Sequence, residues 1–139
     1  MKVLAIDDQK LVLIPLEIRL KELGYEITTT TSALKGIELF DTIQPDLVIV
    51  DINMPETSGI EVVKHIRQTR NVETPIMILS GNTDDAIISE AFELGVNDYM
   101  KKPLSLQEVC ARTKRLIGSP KLENSTKIYK DVVIQQRCV

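Results

Sequence analysis

The chain has 139 residues, 43% of them hydrophobic and 27% charged, with a net charge of −3, no Trp and two cysteines. That is an ordinary globular composition, enough for one domain with one sizeable core. It excludes a membrane-spanning helix, because no run of about 18 apolar residues occurs, and a disulfide framework or zinc site, because Cys110 and Cys138 are too few and too far apart.

The chain opens on Lys2-Val3-Leu4-Ala5-Ile6-Asp7-Asp8, which is neither a signal nor a transit peptide, so a cytoplasmic protein with no membrane association is expected. Val3–Ile6 is apolar at every position and runs into Asp7-Asp8. Such a run reads as a strand covered on both faces, which implies a parallel sheet. Leu13, Leu16, Leu20 and Leu23 then recur at helical spacing before Gly24, a natural helix stop. Pro15 falls inside this pattern and is expected to kink it or to mark a tight first turn. On the same wheel Leu11, Ile14, Pro15 and Ile18 form a second, opposite apolar stripe, of the kind that marks an interaction site.

Glu26–Thr30 is rich in Thr and reads as an edge strand. Ser32 reads as an N-cap, with Leu34, Ile37 and Phe40 as the apolar face behind it. Leu47–Val50 is a second all-apolar run and leads into Asp51; Ile60, Val63 and Ile66 mark the next helix. His65 sits among charged residues there, and a solvated helix face accounts for it. Ile76–Leu79 leads into Ser80, and Ile87, Ile88, Ala91 and Leu94 predict a helix closed by Gly95. Asn97–Lys101 is a weaker strand before Lys102-Pro103, and Ser105 with Glu108 makes a capping box for a helix over 105–117. Five strands alternate with five helices, which is a doubly wound α/β domain. The pattern breaks at Gly118. Residues 118–139 read as linker or tail, with Val132-Val133-Ile134 either part of that tail or the first strand of a missing effector domain. Residues 1–117 carry −5 and residues 118–139 carry +2. An acidic main body argues against direct binding to nucleic acid, which takes clustered Lys and Arg.

Chemistry gathers at the strand ends. In open α/β sheets, ligands sit at the carboxyl ends of the strands, near the point where strand order reverses. Asp7, Asp8, Asp51, Ser80 and Lys102 all fall at or just past such ends and should share one crevice. Three carboxylates there repel one another, and a divalent cation with hard oxygen ligands, Mg²⁺ above all, removes that cost. Lys102 supplies a compact positive charge and Ser80 a hydroxyl donor. The parts make a carboxylate nucleophile, a metal, and two groups able to hold a transferred phosphoryl.

Residues 2–117 resemble the receiver domain of bacterial two-component response regulators nearly end to end. The matching motifs are Ile6-Asp7-Asp8, Asp51-Ile52-Asn53-Met54-Pro55 with Gly59, Leu79-Ser80-Gly81, and Tyr99-Met100-Lys101-Lys102-Pro103. The resemblance implies the flavodoxin-like strand order 2-1-3-4-5. It implies that Asp51 accepts a phosphoryl group from a histidine kinase or histidine phosphotransfer protein. Mg²⁺ would be held by Asp7, Asp8, Asp51 and the backbone carbonyl of Asn53. Ser80 and Tyr99 would form the switch, and Asn53 and Asn82 would tune hydrolysis. Lys102 matches the family's lysine because it directly precedes Pro103, and that peptide bond is a candidate cis bond. Ser80 departs from the more usual Thr, keeping the hydroxyl and losing a methyl. The first helix would dock the donor's helical bundle through Leu11, Ile14, Pro15 and Ile18. The face formed by residues 83–117 would engage a downstream partner, a missing effector domain or a phosphorylation-dependent homodimer.

Other readings are weaker. A phosphatase of the haloacid dehalogenase type also forms an aspartyl phosphate, but it requires a second Asp two residues after the nucleophile, where this chain has Asn53. A nucleotide-binding protein would show a glycine-rich phosphate loop. A degenerate receiver that only binds partners would not keep the full set of Asp7, Asp8, Asp51, Ser80 and Lys102. The expected protein is therefore a signalling module and not a metabolic enzyme, catalysing only its own phosphorylation and slow dephosphorylation.

Overall fold

A computed structural model describes residues 1–55, 57–69, 73–81 and 85–120. Among these, strands β1 (Lys2–Ile6), β2 (Glu26–Thr30), β3 (Leu47–Asp51), β4 (Ile76–Ser80) and β5 (Asp98–Lys101) alternate with helices α1 (Lys10–Glu22), α2 (Ala33–Ile43), α3 (Gly59–Gln68), α4 (Asp85–Glu93) and α5 (Leu106–Ile117). The strands form one parallel sheet in the order β2-β1-β3-β4-β5. The order reverses between β1 and β3, which pair from Val3↔Leu47 to Ile6↔Val50.

Side chains alternate across a strand, so an all-apolar strand feeds two cores. Val3, Ala5, Leu47, Ile49, Met77 and Leu79 point to one face, where they meet Leu13, Leu16 and Leu20 of α1 and Val109 and Cys110 of α5. Leu4, Ile6, Val48, Val50, Ile76 and Ile78 point to the other, against Phe40 of α2, Val62, Val63 and Ile66 of α3, and Ala91 of α4. Each fully buried aliphatic side chain contributes roughly 2 kcal/mol of transfer free energy. β2 is an edge strand, as its Thr content suggests, and its threonines are only half-buried.

Three local expectations are modified. Leu34 is not on the apolar face of α2; it is 63% exposed, while Ala33, Gly36 and Phe40 face the sheet. A Cβ on Gly36 would come within 2.4 Å of Ile6 Cδ1, so α2 lies too close to β1 for a large residue there. Pro15 does not mark the first turn of α1: it lies inside the helix, which runs through it from Lys10 to Glu22. The hydrogen bond it removes is to the carbonyl of Leu11, a residue 86% exposed, where water can substitute. The capping box of α5 is asymmetric. Ser105 Oγ accepts from the Glu108 N–H at 3.3 Å, but the Glu108 carboxylate is engaged by Arg112 at 2.5 Å. Residues 121–139, with Cys138 and the Val132-Val133-Ile134 segment, lie outside the described residues, as does Asn82.

Candidate functional site

Parallel pairing puts every strand's carboxyl end on one edge, and the site forms there. Asp7 follows β1, Asp51 closes β3, Ser80 closes β4, and Lys102 follows β5. Asp7, Asp51 and Ser80 are 0%, 2% and 1% exposed, whereas Asp8 lies in the open mouth. Single carboxylate oxygens of Asp7, Asp8 and Asp51 all lie within 4.8 Å of one another. Lys102 Nζ is 2.7 Å from Asp7 Oδ2 and 3.1 Å from Asp51 Oδ2, and it donates to Gln9 Oε1 at 3.1 Å. Lys101 is exposed to solvent. The Lys102–Pro103 bond is cis.

Local chemistry fixes each acid in place. Asp7 Oδ1 accepts the Gln9 N–H at 2.9 Å, at the start of α1, and Asp51 Oδ1 accepts the Asn53 N–H at 2.9 Å. Gly59 opens α3 directly against the acceptor strand. A Cβ there would lie 2.2 Å from the Asp51 carbonyl oxygen and 2.8 Å from Ile52 Cα, so only glycine allows α3 to approach so closely. Asn53 Nδ2 donates to Ser80 Oγ at 2.8 Å, tying the β3 loop to the end of β4.

Charge in the cluster is unbalanced. Burial pushes the Asp7 carboxyl above its ordinary value; the Lys102 ammonium and the Gln9 N–H pull it back, and the charge of Asp51 raises it further. Burial alone would lower the Lys102 ammonium, but its contacts with Asp7 and Asp51 outweigh that and hold it above its ordinary value. One ammonium thus faces three carboxylates. Asp7 Oδ2 is buried and accepts no well-directed hydrogen bond, its close neighbour being Lys102 in an ion pair. A set of hard oxygens with surplus negative charge and an oxygen without a directed donor fits a small divalent cation such as Mg²⁺.

An open cleft of about 860 Å³ runs from this cluster along α1, lined by Asp8, Gln9, Asp51, Asn53 and Lys102 on its polar side and by Leu11, Val12, Pro15, Leu104 and Leu106 on its apolar side. Leu11, Ile14 and Ile18 are 86%, 53% and 55% exposed, while Leu13, Leu16 and Leu20 are buried, so α1 carries two apolar stripes as its wheel predicts. Tyr99 is half-buried on β5, where it pairs with Ile78 of β4. His65 lies away from the cluster, 2.9 Å from Asp41 on α2.

Sequence reasoning did not single out Gln9, although its amide oxygen touches Lys102; its position directly after the acidic pair was the available signal. Nor did it find Asp98, a buried acid on β5 whose Oδ1 lies 2.5 Å from Arg112 and whose Oδ2 lies 2.5 Å from Arg115, both on α5. A buried acid in an edge strand calls for such cations, but the sequence does not say which ones.

A doubly wound sheet with a carboxylate cluster and a lysine at its switch point defines a receiver fold, and the family model for the response regulator receiver domain matches residues 3–114; the chain belongs to that family. It is similar to the alkaline phosphatase synthesis transcriptional regulatory protein PhoP of Bacillus subtilis, with 34% identity over 116 residues, 84% of this chain and 48% of PhoP. The chain spans about half the length of the curated relatives it matches. Among solved structures it resembles the chemotaxis protein CheY4 of Vibrio cholerae, with 28% identity and a TM-score of 0.77, covering 83% of this chain and 97% of that one. It also resembles the receiver domain of the sensor histidine kinase PA1611 from Pseudomonas aeruginosa, which has a magnesium ion coordinated in its active-site cleft. That match has 25% identity, a TM-score of 0.75 and coverage of 85% and 98%. Phosphorylation switching in two-component signalling is the general function of the family, and no helix among the described residues is long and apolar enough to cross a membrane.

Proposed function

We propose that this chain is a phosphorylation switch that takes a phosphoryl group on Asp51 from a histidine kinase or histidine phosphotransfer protein. The observation that carries the reading is the position of the buried Asp51 carboxylate, 3.1 Å from the Lys102 ammonium and clustered with Asp7 and Asp8. An Asp51 oxygen attacks the phosphorus of the phosphohistidine. The P–O bond forms as the P–N bond breaks, and the electron pair stays on the imidazole nitrogen. Lys102 balances charge on the transferred phosphoryl oxygens, and Ser80 donates its hydroxyl to one of them. Asp7, Asp8, Asp51 and the Asn53 carbonyl would hold Mg²⁺, which when bound neutralises the carboxylates and the phosphoryl oxygens. By resemblance to the family, Asn53 and Asn82 would tune hydrolysis of the acyl phosphate, which makes the phosphorylated state transient. The chain is a signalling module, catalysing only this transfer and its own dephosphorylation.

The apolar stripe of α1 with its adjoining cleft supports docking of the donor's helices through Leu11, Ile14, Pro15 and Ile18. Movement of Ser80 toward the phosphoryl would draw Tyr99 inward and alter the face of α4, β5 and α5, within residues 83–117. A downstream partner, an effector domain or a second copy of this chain would read that face. Receiver chemistry of this kind belongs in the cytoplasm, and the acidic main body supports protein partners in preference to nucleic acid. The test is incubation with acetyl phosphate or phosphoramidate and Mg²⁺, followed by peptide mass spectrometry. One added phosphoryl group on Asp51, absent from Asp51→Asn and absent in EDTA, is expected. Full labelling of Asp51→Asn would sink the assignment.

A further inference from the structure

We propose that the side-chain amide of Asn53 is a latch on Ser80, a positioning residue that holds the hydroxyl in its resting orientation and so sets how readily the switch turns. The proposal rests on the phosphorylation reading and extends it to the resting state. Asn53 is exposed and is not needed for core packing, yet its amide reaches inward to donate to a hydroxyl that is 99% buried, at 2.8 Å. Its own backbone N–H is bonded to Asp51 Oδ1 at 2.9 Å. One residue therefore touches both the acceptor carboxylate and the hydroxyl that must answer it.

Side-chain rotamers explain why a latch matters here. A Thr is restricted at χ1 by its γ-methyl, but Ser80 lacks that branch and rotates more freely. Its resting orientation therefore depends more on its hydrogen bonds. A hop between staggered wells moves a seryl Oγ by roughly 2 Å. A 2.8 Å bond does not survive that displacement unless Asn53 follows, and Asn53 is tethered to Asp51 by its backbone. Turning Ser80 toward a phosphoryl group on Asp51 thus breaks the amide–hydroxyl bond. The bond acts as a tax on activation, which is reduced by whatever fraction of the active state becomes populated when the bond is absent.

The experiment is titration of the full chain with beryllofluoride in MgCl₂, which mimics the phosphoryl group without being hydrolysed and so separates switching from phosphate lifetime. Binding is followed by NMR shifts in residues 85–117, with Mg²⁺ affinity measured separately for each variant. Asn53→Ala, and Asn53→Leu as a volume-keeping second variant, should bind beryllofluoride roughly three- to tenfold more tightly at saturating Mg²⁺, the effect of losing one net hydrogen bond from the resting state. In a Ser80→Ala background the same changes should have no further effect. In the metal-free protein, Ser80→Ala should shift the Asn53 side-chain amide resonances and speed their exchange with water. Unchanged or weaker beryllofluoride binding by both Asn53 variants overturns the latch while leaving the acceptor assignment standing. Tightening that persists without the Ser80 hydroxyl overturns it too. Failure of the wild-type chain to bind beryllofluoride at all removes the phosphorylation reading, and the latch with it.

Discussion

Replacing Lys102 with Met isolates the electrostatics of the cleft. The ammonium sits 2.7 Å from Asp7 and 3.1 Å from Asp51, whose side chains are 0% and 3% exposed, and its own side chain is 13% exposed. Lys102→Met keeps much of the aliphatic stem and removes the cation, leaving two buried carboxylates facing each other. Removing one partner of a buried ion pair costs roughly 3–5 kcal/mol. The open mouth at Asp8 admits water, so the lower end applies, about 3 kcal/mol, or a fall in Tm of about 10 °C for a domain of this size. Urea unfolding at neutral pH in EDTA measures it. Two further results identify the cause as unpaired charge and not lost packing. Millimolar Mg²⁺ should stabilise Lys102→Met more than it stabilises the wild type. Adding Asp51→Asn to Lys102→Met should recover most of the loss, because it removes one of the two buried charges. A Lys102→Met protein within about 0.5 kcal/mol of wild type in EDTA, the range of an indifferent substitution, would refute this account.

The raised Lys102 ammonium contributes stability that is fully present below its ordinary 10.5 and lost as pH rises through the higher folded value. Urea midpoints of the metal-free wild type should therefore fall in that alkaline window, with a smaller fall in Lys102→Met. The raised Asp7 carboxyl has the same sign in the acid range: its contribution is full below 3.8 and is lost as pH rises through the folded value, so ionised Asp7 costs stability at neutral pH. Asp7→Asn should accordingly flatten the pH dependence of the urea midpoint just above pH 3.8 without metal, and an unaltered profile would count against the assignment. Gly59→Ala places a Cβ against the Asp51 carbonyl, where backbone must move, and should cost about 2 kcal/mol or more and reduce labelling by acetyl phosphate; an Ala variant as stable and as reactive as wild type would show that the close approach is relaxed in solution. Leu11→Lys and Ile18→Lys should slow transfer from the cognate histidine donor at least tenfold while leaving acetyl phosphate labelling intact, since a hot-spot residue at a protein contact is worth about 2 kcal/mol or more; equal loss with both donors would indicate damage to the fold, and no loss with either would show that the stripe is no docking surface.

What the sequence determined alone is what depends on local pattern. Apolar runs such as Leu47–Val50 and Ile76–Leu79 specify strands buried on both faces, and helical spacing in α1 assigns Leu13, Leu16 and Leu20 to the core. In a parallel sheet every strand ends on the same edge, so an Asp, Ser or Lys after an apolar run is placed near the site before any contact is known. The tertiary structure alone decided which of those residues touch, and how. Asn53 meets Ser80 across 27 residues, and Gln9 meets Lys102 across 93. Such pairings follow from strand order and register, and nothing in the local sequence encodes them. Leu34 is exposed for a similar reason: α2 turns Ala33, Gly36 and Phe40 to the sheet, with Gly36 close against the Ile6 side chain, and that packing belongs to two elements at once. The Asp98 pairs with Arg112 and Arg115 were equally hidden, because a buried charge demands a counter-charge but only the packing of α5 on β5 selects it.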